Sequence, residues 1–109
     1  MKLKIGFSPC PNDTFIFEAL VNKKVSFPGL DFEPVIEDVE TLNKMAFKGE
    51  LEVTKLSFHA FAYCSGDYLL ARSGSALGSN CGPLFISSEM MEPAYLIEKK
   101  IALPGKYTT

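Results

Sequence analysis

The sequence lacks the features that mark several large classes of protein. Its formal net charge is only −2, so it offers no basic surface for nucleic acid or an anionic membrane. No apolar run approaches the roughly 20 residues that a membrane-spanning helix needs. The apolar run after Lys2 and Lys4 is too short for a secretory signal, and no small-residue cleavage site follows it. These absences favour a protein of the cytoplasm.

Cysteine and histidine are scarce, which restricts the metal and redox sites that the chain can form. The cysteines Cys10, Cys64 and Cys81 are odd in number and have no C-x-x-C spacing. Neither a zinc knuckle nor a secreted disulfide framework is therefore expected, and we predict free thiols that are buried or half-buried. The single histidine, His59, excludes a histidine-rich metal site. Its apolar neighbours predict a packed, hydrogen-bonded histidine in the core or at its boundary.

What is present is the composition of an ordinary globular domain. Hydrophobic residues make up 47% of the chain and charged residues 22%, as in most soluble globular proteins. A chain of 109 residues is long enough to bury a core, but it holds at most one domain.

The most informative stretch is residues 8–15 (SPCPNDTF), between an apolar, strand-like run at 3–7 and a helix-like run at 15–23. Its two prolines stop the strand and delay the helix, which Asn12 or Asp13 is then expected to cap. A rigid turn at the carboxyl end of a strand, facing a helix N-terminus, is a common site for small anions in α/β sheets. A turn without a ligand is an equally good interpretation of this stretch alone.

Strand-like and helix-like segments alternate along the rest of the chain. Predicted strands cover residues 2–7, 32–36, 51–56, 68–71, 83–87 and 101–103, and predicted helices after the first cover residues 39–48, 58–64 and 89–98. The spacing of apolar residues predicts that the first helix buries a face made by Phe15, Ile16, Ala19 and Leu20. This alternation predicts a parallel or mixed sheet with helices on its faces.

Several single residues refine this outline. Pro34 indicates that the second strand either lies at an edge of the sheet or contains a bulge. Asp38 is a good N-cap for the second helix and Gly49 a good stop, whereas Pro93 interrupts the last predicted helix. Residues 72–82 contain three glycines and three serines but match no phosphate-binding fingerprint, so a connecting loop is favoured over a phosphate cradle.

Polar residues at the ends of the predicted strands are candidates for ligand binding. Lys55 and Ser57 follow the third strand and should lie at the same sheet edge as residues 8–15 if the strands are parallel. Ser57 and Thr108 are able to hydrogen-bond a carboxylate or hydroxyl group, and Lys55 to neutralise one. Capping hydroxyls and a solvated lysine explain the same residues without a ligand. The acidic residues near the second helix are better explained by a cap and a solvated face than by a metal site: Glu33, Glu37, Asp38 and Glu40.

Five blocks of the sequence resemble the 1,4-dihydroxy-6-naphthoate synthases, enzymes of the futalosine route to menaquinone. The blocks follow the family's order and spacing over essentially the whole chain, at residues 8–15, 37–43 (EDVETLN), 54–57 (TKLS), 72–78 (RSGSALG) and 104–109 (PGKYTT). The resemblance implies a lobe of a type II periplasmic-binding-protein-like fold, with a mixed sheet and helices on both faces, truncated after the first lobe. It also implies carbon–carbon lyase chemistry on cyclic dehypoxanthine futalosine without metal or organic cofactor.

The same resemblance divides the chain and assigns its site. Residues 1–103 would form the first lobe, and residues 104–109 would begin the crossover to a second lobe. The implied substrate-binding residues are Lys55, Leu56, Ser57, Thr108, Thr109, Asn12 and Asn43. The proton acceptor of the family is a histidine in a segment beyond this sequence, and His59 does not take its place, so no catalytic residue is assigned in this chain.

Two other functions fit the same scaffold. One is a non-catalytic lobe that binds a small molecule, and the other is an enzyme like chorismate dehydratase, against which the proline-cysteine-proline motif argues. In each case the expected partner is a small molecule, with no nucleic acid and no membrane span. An exposed lobe surface would also favour a homodimer.

Overall fold

The structure, a computed structural model, describes residues 1–80, 82 and 84–108 and has an α/β core. Its elements in chain order are β1 (Lys2–Phe7), α1 (Pro11–Val21), β2 (Asp31–Ile36), α2 (Val39–Phe47), β3 (Val53–Thr54), α3 (Phe58–Cys64) and a 3₁₀-helix (Pro93–Glu98). Within the described ranges, every helix is too short or too polar to cross a bilayer.

The three strands form one parallel sheet in the order β2-β1-β3. β1 pairs with β2 from Lys2 opposite Asp31 to Phe7 opposite Ile36, and it pairs with β3 where Ile5 lies opposite Val53. The predicted edge position of the strand that contains Pro34 is confirmed, because β2 has one neighbour in the described part of the chain. The sheet there is parallel, since both partners run in the direction of β1. This is one of the two arrangements that the alternation of segments predicted; the mixed sheet that the resemblance implied is not seen in the described residues.

Helices cover both faces of β1. The ring of Phe7 lies 5.0 Å from that of Phe17 in α1. Gly6 points to the opposite face, where a Cβ atom would come within 2.9 Å of Leu42 Cδ2 in α2 and within 2.7 Å of Leu51 Cδ1. The absence of a side chain at Gly6 therefore lets α2 approach the sheet closely.

The core extends over both faces of β1. Its buried apolar residues are Ile5, Phe7, Leu42, Ala46, Leu51, Ala60 and Cys64. The apolar residues of α2 recur at three- and four-residue spacing and face this core: Leu42 and Ala46 are buried, and Val39 and Met45 are half-buried.

Helix α1 differs from its prediction at both its start and its buried face. It begins at Pro11, with Cys10 as the N-cap and no side-chain cap, so the expected caps at Asn12 and Asp13 are wrong. Proline suits the first helical position because the N–H that it lacks would have no partner there. The expected buried face is wrong at Phe15, which is 85% exposed, whereas Ile16, Ala19 and Leu20 are half-buried.

Helix α2 follows its prediction at both ends. The Asp38 carboxylate accepts a hydrogen bond from the backbone N–H of Thr41 at 3.0 Å, and bonds from Thr41, led by its hydroxyl, lower the pKa of Asp38. At the other end, Gly49 has a φ of +66°, and the N–H of Glu50 donates to the carbonyl of Met45 at 3.1 Å. This pattern closes the helix with a glycine in the left-handed region.

Most of the later predicted strands do not form. Residues 68–71, 84–87 and 101–103 are irregular, β3 has two residues instead of six, and only Pro93–Glu98 of the last predicted helix is helical, as a 3₁₀-helix. Pro83 lies outside the described residues. A strand requires a neighbour to pair its backbone groups, and these segments have none in the described sheet. The radius of gyration is accordingly 17.0 Å, against about 13 Å for a compact chain of this length.

Candidate functional site

A pocket of about 340 Å³ opens at the carboxyl edge of the sheet, where β1 and β3 end. Its volume is within the range of small-molecule sites. The lining residues come from the ends of both strands, the first turns of α1 and α2, the loop after residue 72 and the C-terminal segment: Ser8, Cys10, Asn12, Asp13, Val39, Leu42, Lys55, Leu56, Ser57, Ala76, Pro104 and Thr108.

Asp13 forms the wall between β1 and α1. Its side chain is 8% exposed, and Oδ2 accepts hydrogen bonds from the Ser8 backbone N–H at 3.1 Å and the Ser8 hydroxyl at 2.8 Å. Asp13 thus reaches back from the first turn of α1 to the end of β1. The Ser8 hydroxyl also lies 2.9 Å from Cys10 Sγ, so the turn at the pocket wall is held by side chains as well as by its prolines.

Lys55 links this wall to the glycine-rich loop. Its Nζ lies 3.6 Å from Asp13 Oδ1 and donates to the carbonyl of Gly74 at 3.0 Å. The Lys55 side chain is 23% exposed, so the ammonium group remains accessible from the pocket. The loop that was predicted as a plain connection therefore contacts the site, and Ala76 forms part of the pocket lining.

Ser57 and Asn43 connect α3 to α2 behind the pocket. The Ser57 hydroxyl caps α3 by accepting a bond from the N–H of Ala60 at 3.1 Å. The Ser57 N–H donates to Asn43 Oδ1 at 3.2 Å, and Asn43 Nδ2 donates to Ser57 Oγ at 3.4 Å. Asn43 is fully buried, so it supports Ser57 from the interior.

The C-terminal segment closes one side of the pocket. The Ser57 hydroxyl donates to the carbonyl of Tyr107, and the Tyr107 N–H donates to Glu40 Oε2 at 3.2 Å. The Thr108 hydroxyl donates to the carbonyl of Gly105 at 3.1 Å. Glu40, expected to be part of a solvated face, instead has a side chain that is 14% exposed.

The structure brings most of the predicted site residues to one place. Five of them line the pocket: Asn12, Lys55, Leu56, Ser57 and Thr108. Asn43 lies behind it, and Thr109 lies outside the described residues. Asp13, expected only as a helix cap, is the residue that the sequence interpretation missed, and its only sequence signal is its place in the 8–15 motif beside Ser8.

His59 does not contribute to this pocket. It is exposed, which corrects the expected position in the core or at its boundary, although Tyr63 lies within 3.5 Å of its Nε2. Among residues 1–80, 82 and 84–108, no group of three potential metal ligands comes together.

The described cysteines differ in accessibility, which leads to a labelling prediction. Cys64 is buried, and burial raises the pKa of its thiol. Cys10 is exposed at the pocket, contrary to the expected burial, and Cys81 lies outside the described residues.

We expect iodoacetamide to label Cys10 at least about tenfold faster than Cys64, since thiolate character and access control the rate. Peptide mass spectrometry measures both rates, with urea-unfolded chain as the control; equal rates in the folded chain would contradict the expectation.

Comparison with known proteins identifies the family. A family model described as "Menaquinone biosynthesis" matches residues 3–109. The chain belongs to this family. Two curated relatives in it are called 1,4-dihydroxy-6-naphthoate synthase: the protein of Thermus thermophilus is 50% identical over 107 residues, and that of Streptomyces coelicolor is 41% identical over 108. The resemblance inferred from the sequence blocks is therefore confirmed.

The chain matches only part of the length of these relatives. Each relative aligns with 98% of this chain, but the chain spans only 38% of the length of the Thermus protein and 37% of the Streptomyces protein. The crystal structure of protein AF1704 from Archaeoglobus fulgidus is also similar, with 44% sequence identity and a TM-score of 0.56. That match covers 59% of this chain and 24% of the other.

Proposed function

We propose that this chain is the N-terminal part of a 1,4-dihydroxy-6-naphthoate synthase and that its pocket binds cyclic dehypoxanthine futalosine. The main support is that family blocks distant in sequence line one pocket: residues 8–15, 54–57 and 104–108 each contribute. The identity of 50% and 41% to two proteins of that name adds to this support.

The chemistry of the pocket suits the ring system that the product's name describes. A dihydroxynaphthoate is a flat aromatic bicycle that carries two hydroxyl groups and a carboxylate. Val39, Leu42 and Leu56 supply apolar surface, and the Lys55 ammonium group, 3.6 Å from the Asp13 carboxylate, supplies a charged hydrogen-bond donor. The pocket also faces the first turn of α1, which has no side-chain cap, so that its N–H groups and the helix dipole favour an anion. A substrate with an apolar ring and an acidic edge fits these surroundings.

The proposal extends to the whole protein. Residues 1–103 would be the first lobe of a type II periplasmic-binding-protein-like fold, and residues 104–109 would begin the crossover to a second lobe. The second lobe would supply the histidine that accepts a proton. The reaction would be a carbon–carbon lyase reaction, and the protein would act in the cytoplasm. Exposed apolar side chains such as Leu84 and Ile97, which are 88% and 90% exposed, support either burial against that lobe or formation of a homodimer in its absence.

Binding and turnover by the 109-residue chain test this proposal together. We expect calorimetry to detect binding of cyclic dehypoxanthine futalosine, and chromatography to detect no released naphthoate, because general acid–base catalysis would require the absent histidine. Lys55→Ala should weaken binding about tenfold through the lost charge, whereas Lys48→Ala, on the exposed end of α2, should not.

Each alternative function predicts a different result. Naphthoate released by this chain would contradict the assignment of the proton acceptor to another segment. Preferential binding of chorismate would favour an enzyme like chorismate dehydratase. The absence of any binding would contradict the proposed site.

A further inference from the structure

The ring of Tyr107 packs among aromatic side chains from two helices. Its centroid lies 5.0 Å from that of Phe47 in α2, with the planes at 83°, and 5.4 Å from that of Tyr63 in α3, at 74°. Both are edge-to-face arrangements, which stabilise aromatic pairs beyond the area that they bury. His59 adds a fourth ring at 6.5 Å. One residue of the C-terminal segment thus bridges α2 and α3.

The backbone around Tyr107 is held at two more points. Its N–H donates a hydrogen bond to the Glu40 carboxylate, and its carbonyl accepts a hydrogen bond from the Ser57 hydroxyl. Gly105 lies so close to Glu40 that an added Cβ would come within 2.8 Å of Glu40 Cβ. The segment of residues 104–108 is therefore fitted to α2 by shape and to α3 by hydrogen bonding.

These contacts determine what the neighbouring hydroxyl groups offer to a ligand. A serine hydroxyl has one proton to donate and two lone pairs to accept with. The Ser57 hydroxyl donates one hydrogen bond to the carbonyl of Tyr107 and accepts two, from the Ala60 N–H and from Asn43 Nδ2. Its full hydrogen-bonding capacity is therefore used within the protein. The Thr108 hydroxyl donates a hydrogen bond to the carbonyl of Gly105, and no donor among the described residues bonds to its oxygen. Of these two hydroxyl groups, the Thr108 hydroxyl is therefore the one that can accept a hydrogen bond from a ligand.

We propose that Tyr107 is a positioning residue for the pocket. Its ring, held between Phe47 and Tyr63, keeps Thr108 at the pocket and keeps the Ser57 hydroxyl engaged with the protein. Without the ring, the segment detaches from α2 and α3, Thr108 leaves the lining and the Ser57 hydroxyl becomes free. The proposal rests on the proposed function for the identity of the ligand, but the attachment of the segment stands apart from it.

Two measurements on the 109-residue chain test this role. Amide hydrogen exchange at position 107, whose N–H donates to Glu40, reports the attachment of the segment, and calorimetry with cyclic dehypoxanthine futalosine reports the affinity. Tyr107→Ala should raise the exchange rate about tenfold and weaken binding about tenfold, because the contacting group is no longer held in place. Tyr107→Phe, which keeps the ring and both backbone bonds, should restore both values. Tyr95→Ala, which removes a tyrosine that is 67% exposed, is the matched control.

A second variant covers the case in which Tyr107→Ala does not fold. Gly105→Ala keeps Tyr107 but places a methyl group against Glu40, so it should produce the same two changes, whereas Gly66→Ala, with open space around it, should produce neither. Unchanged exchange or unchanged affinity in the variants would overturn the positioning role. Faster exchange in the variants, with no binding even by the parent chain, would support the attachment and contradict the proposed function instead.

Discussion

Replacing Asn43 with alanine is expected to lower the free energy of unfolding by about 3 kcal/mol. Asn43 is fully buried, and its amide makes two hydrogen bonds to Ser57. The substitution leaves the buried Ser57 N–H without its acceptor and also leaves a cavity beside Leu42. A loss of this size is a large part of the 5–15 kcal/mol typical of a native domain. Urea titration followed by circular dichroism measures it.

The variant Asn43→Asp tests the polar interactions of this side chain without changing the volume that it fills. It keeps the size of the side chain and the oxygen that accepts from Ser57, but it places a carboxyl group in the interior, where burial raises its pKa. With a pKa raised above the unfolded value of about 4, the new carboxyl group destabilises the fold increasingly as the pH rises through that range. The difference in unfolding free energy from the parent chain, measured by urea titration at several pH values, should therefore be smallest at low pH.

The control for both Asn43 variants is Asn22→Ala. Asn22 is an exposed asparagine whose amide bonds to Glu18 at 3.2 Å, so its loss should change the stability by no more than about 0.5 kcal/mol. Asn43→Ala and Asn22→Ala with the same unfolding midpoint would show that the buried amide does not support the fold.

Replacing Asp13 with alanine is expected to lower the free energy of unfolding by about 2 kcal/mol. The change removes the acceptor of both Ser8 bonds and the carboxylate beside Lys55. Most of the loss should come from the Ser8 N–H, because Ser8 is buried, whereas the Lys55 ammonium group is partly exposed and regains water. Urea titration measures the loss, and the same variant should weaken ligand binding because the wall of the pocket is no longer held.

The contribution of charge at this position is measured by Asp13→Asn. Asparagine keeps an oxygen for the Ser8 N–H but not the charge beside Lys55, so we expect it to recover more than half of the stability that alanine loses. Glu37→Ala removes an exposed acidic residue from the loop before α2 and serves as the control. An Asp13→Ala chain as stable as the Glu37→Ala chain would contradict the structural role of Asp13.

Short-range signals account for the parts of the fold that were predicted well. The N-cap of α2 depends on Asp38 and Thr41, three residues apart, and its end depends on Gly49. The edge position of β2 follows from Pro34, which has no N–H to donate. α3 was predicted with its observed bounds, Phe58–Cys64. The conformation in each case depends on groups that are close in the chain.

Contacts between distant residues account for what was missed. Asp13 was expected to cap α1, but folding places it against Ser8 and, 42 positions along the chain, Lys55. Asn43 was one matched motif residue among several, and only packing shows that it is buried behind Ser57. Phe15 has the spacing of a buried residue, yet α1 approaches the sheet through Phe17.

The sequence by itself determined the α/β class, the two ends of α2 and the family, because these depend on local backbone chemistry and on motifs that can be read directly. Only the tertiary structure decided which predicted strands form and which polar groups meet. A strand at residues 68–71 or 84–87 needs a partner to satisfy its backbone. The bond between Ser57 and Tyr107 joins residues 50 positions apart, so it exists only once the surrounding helices have packed.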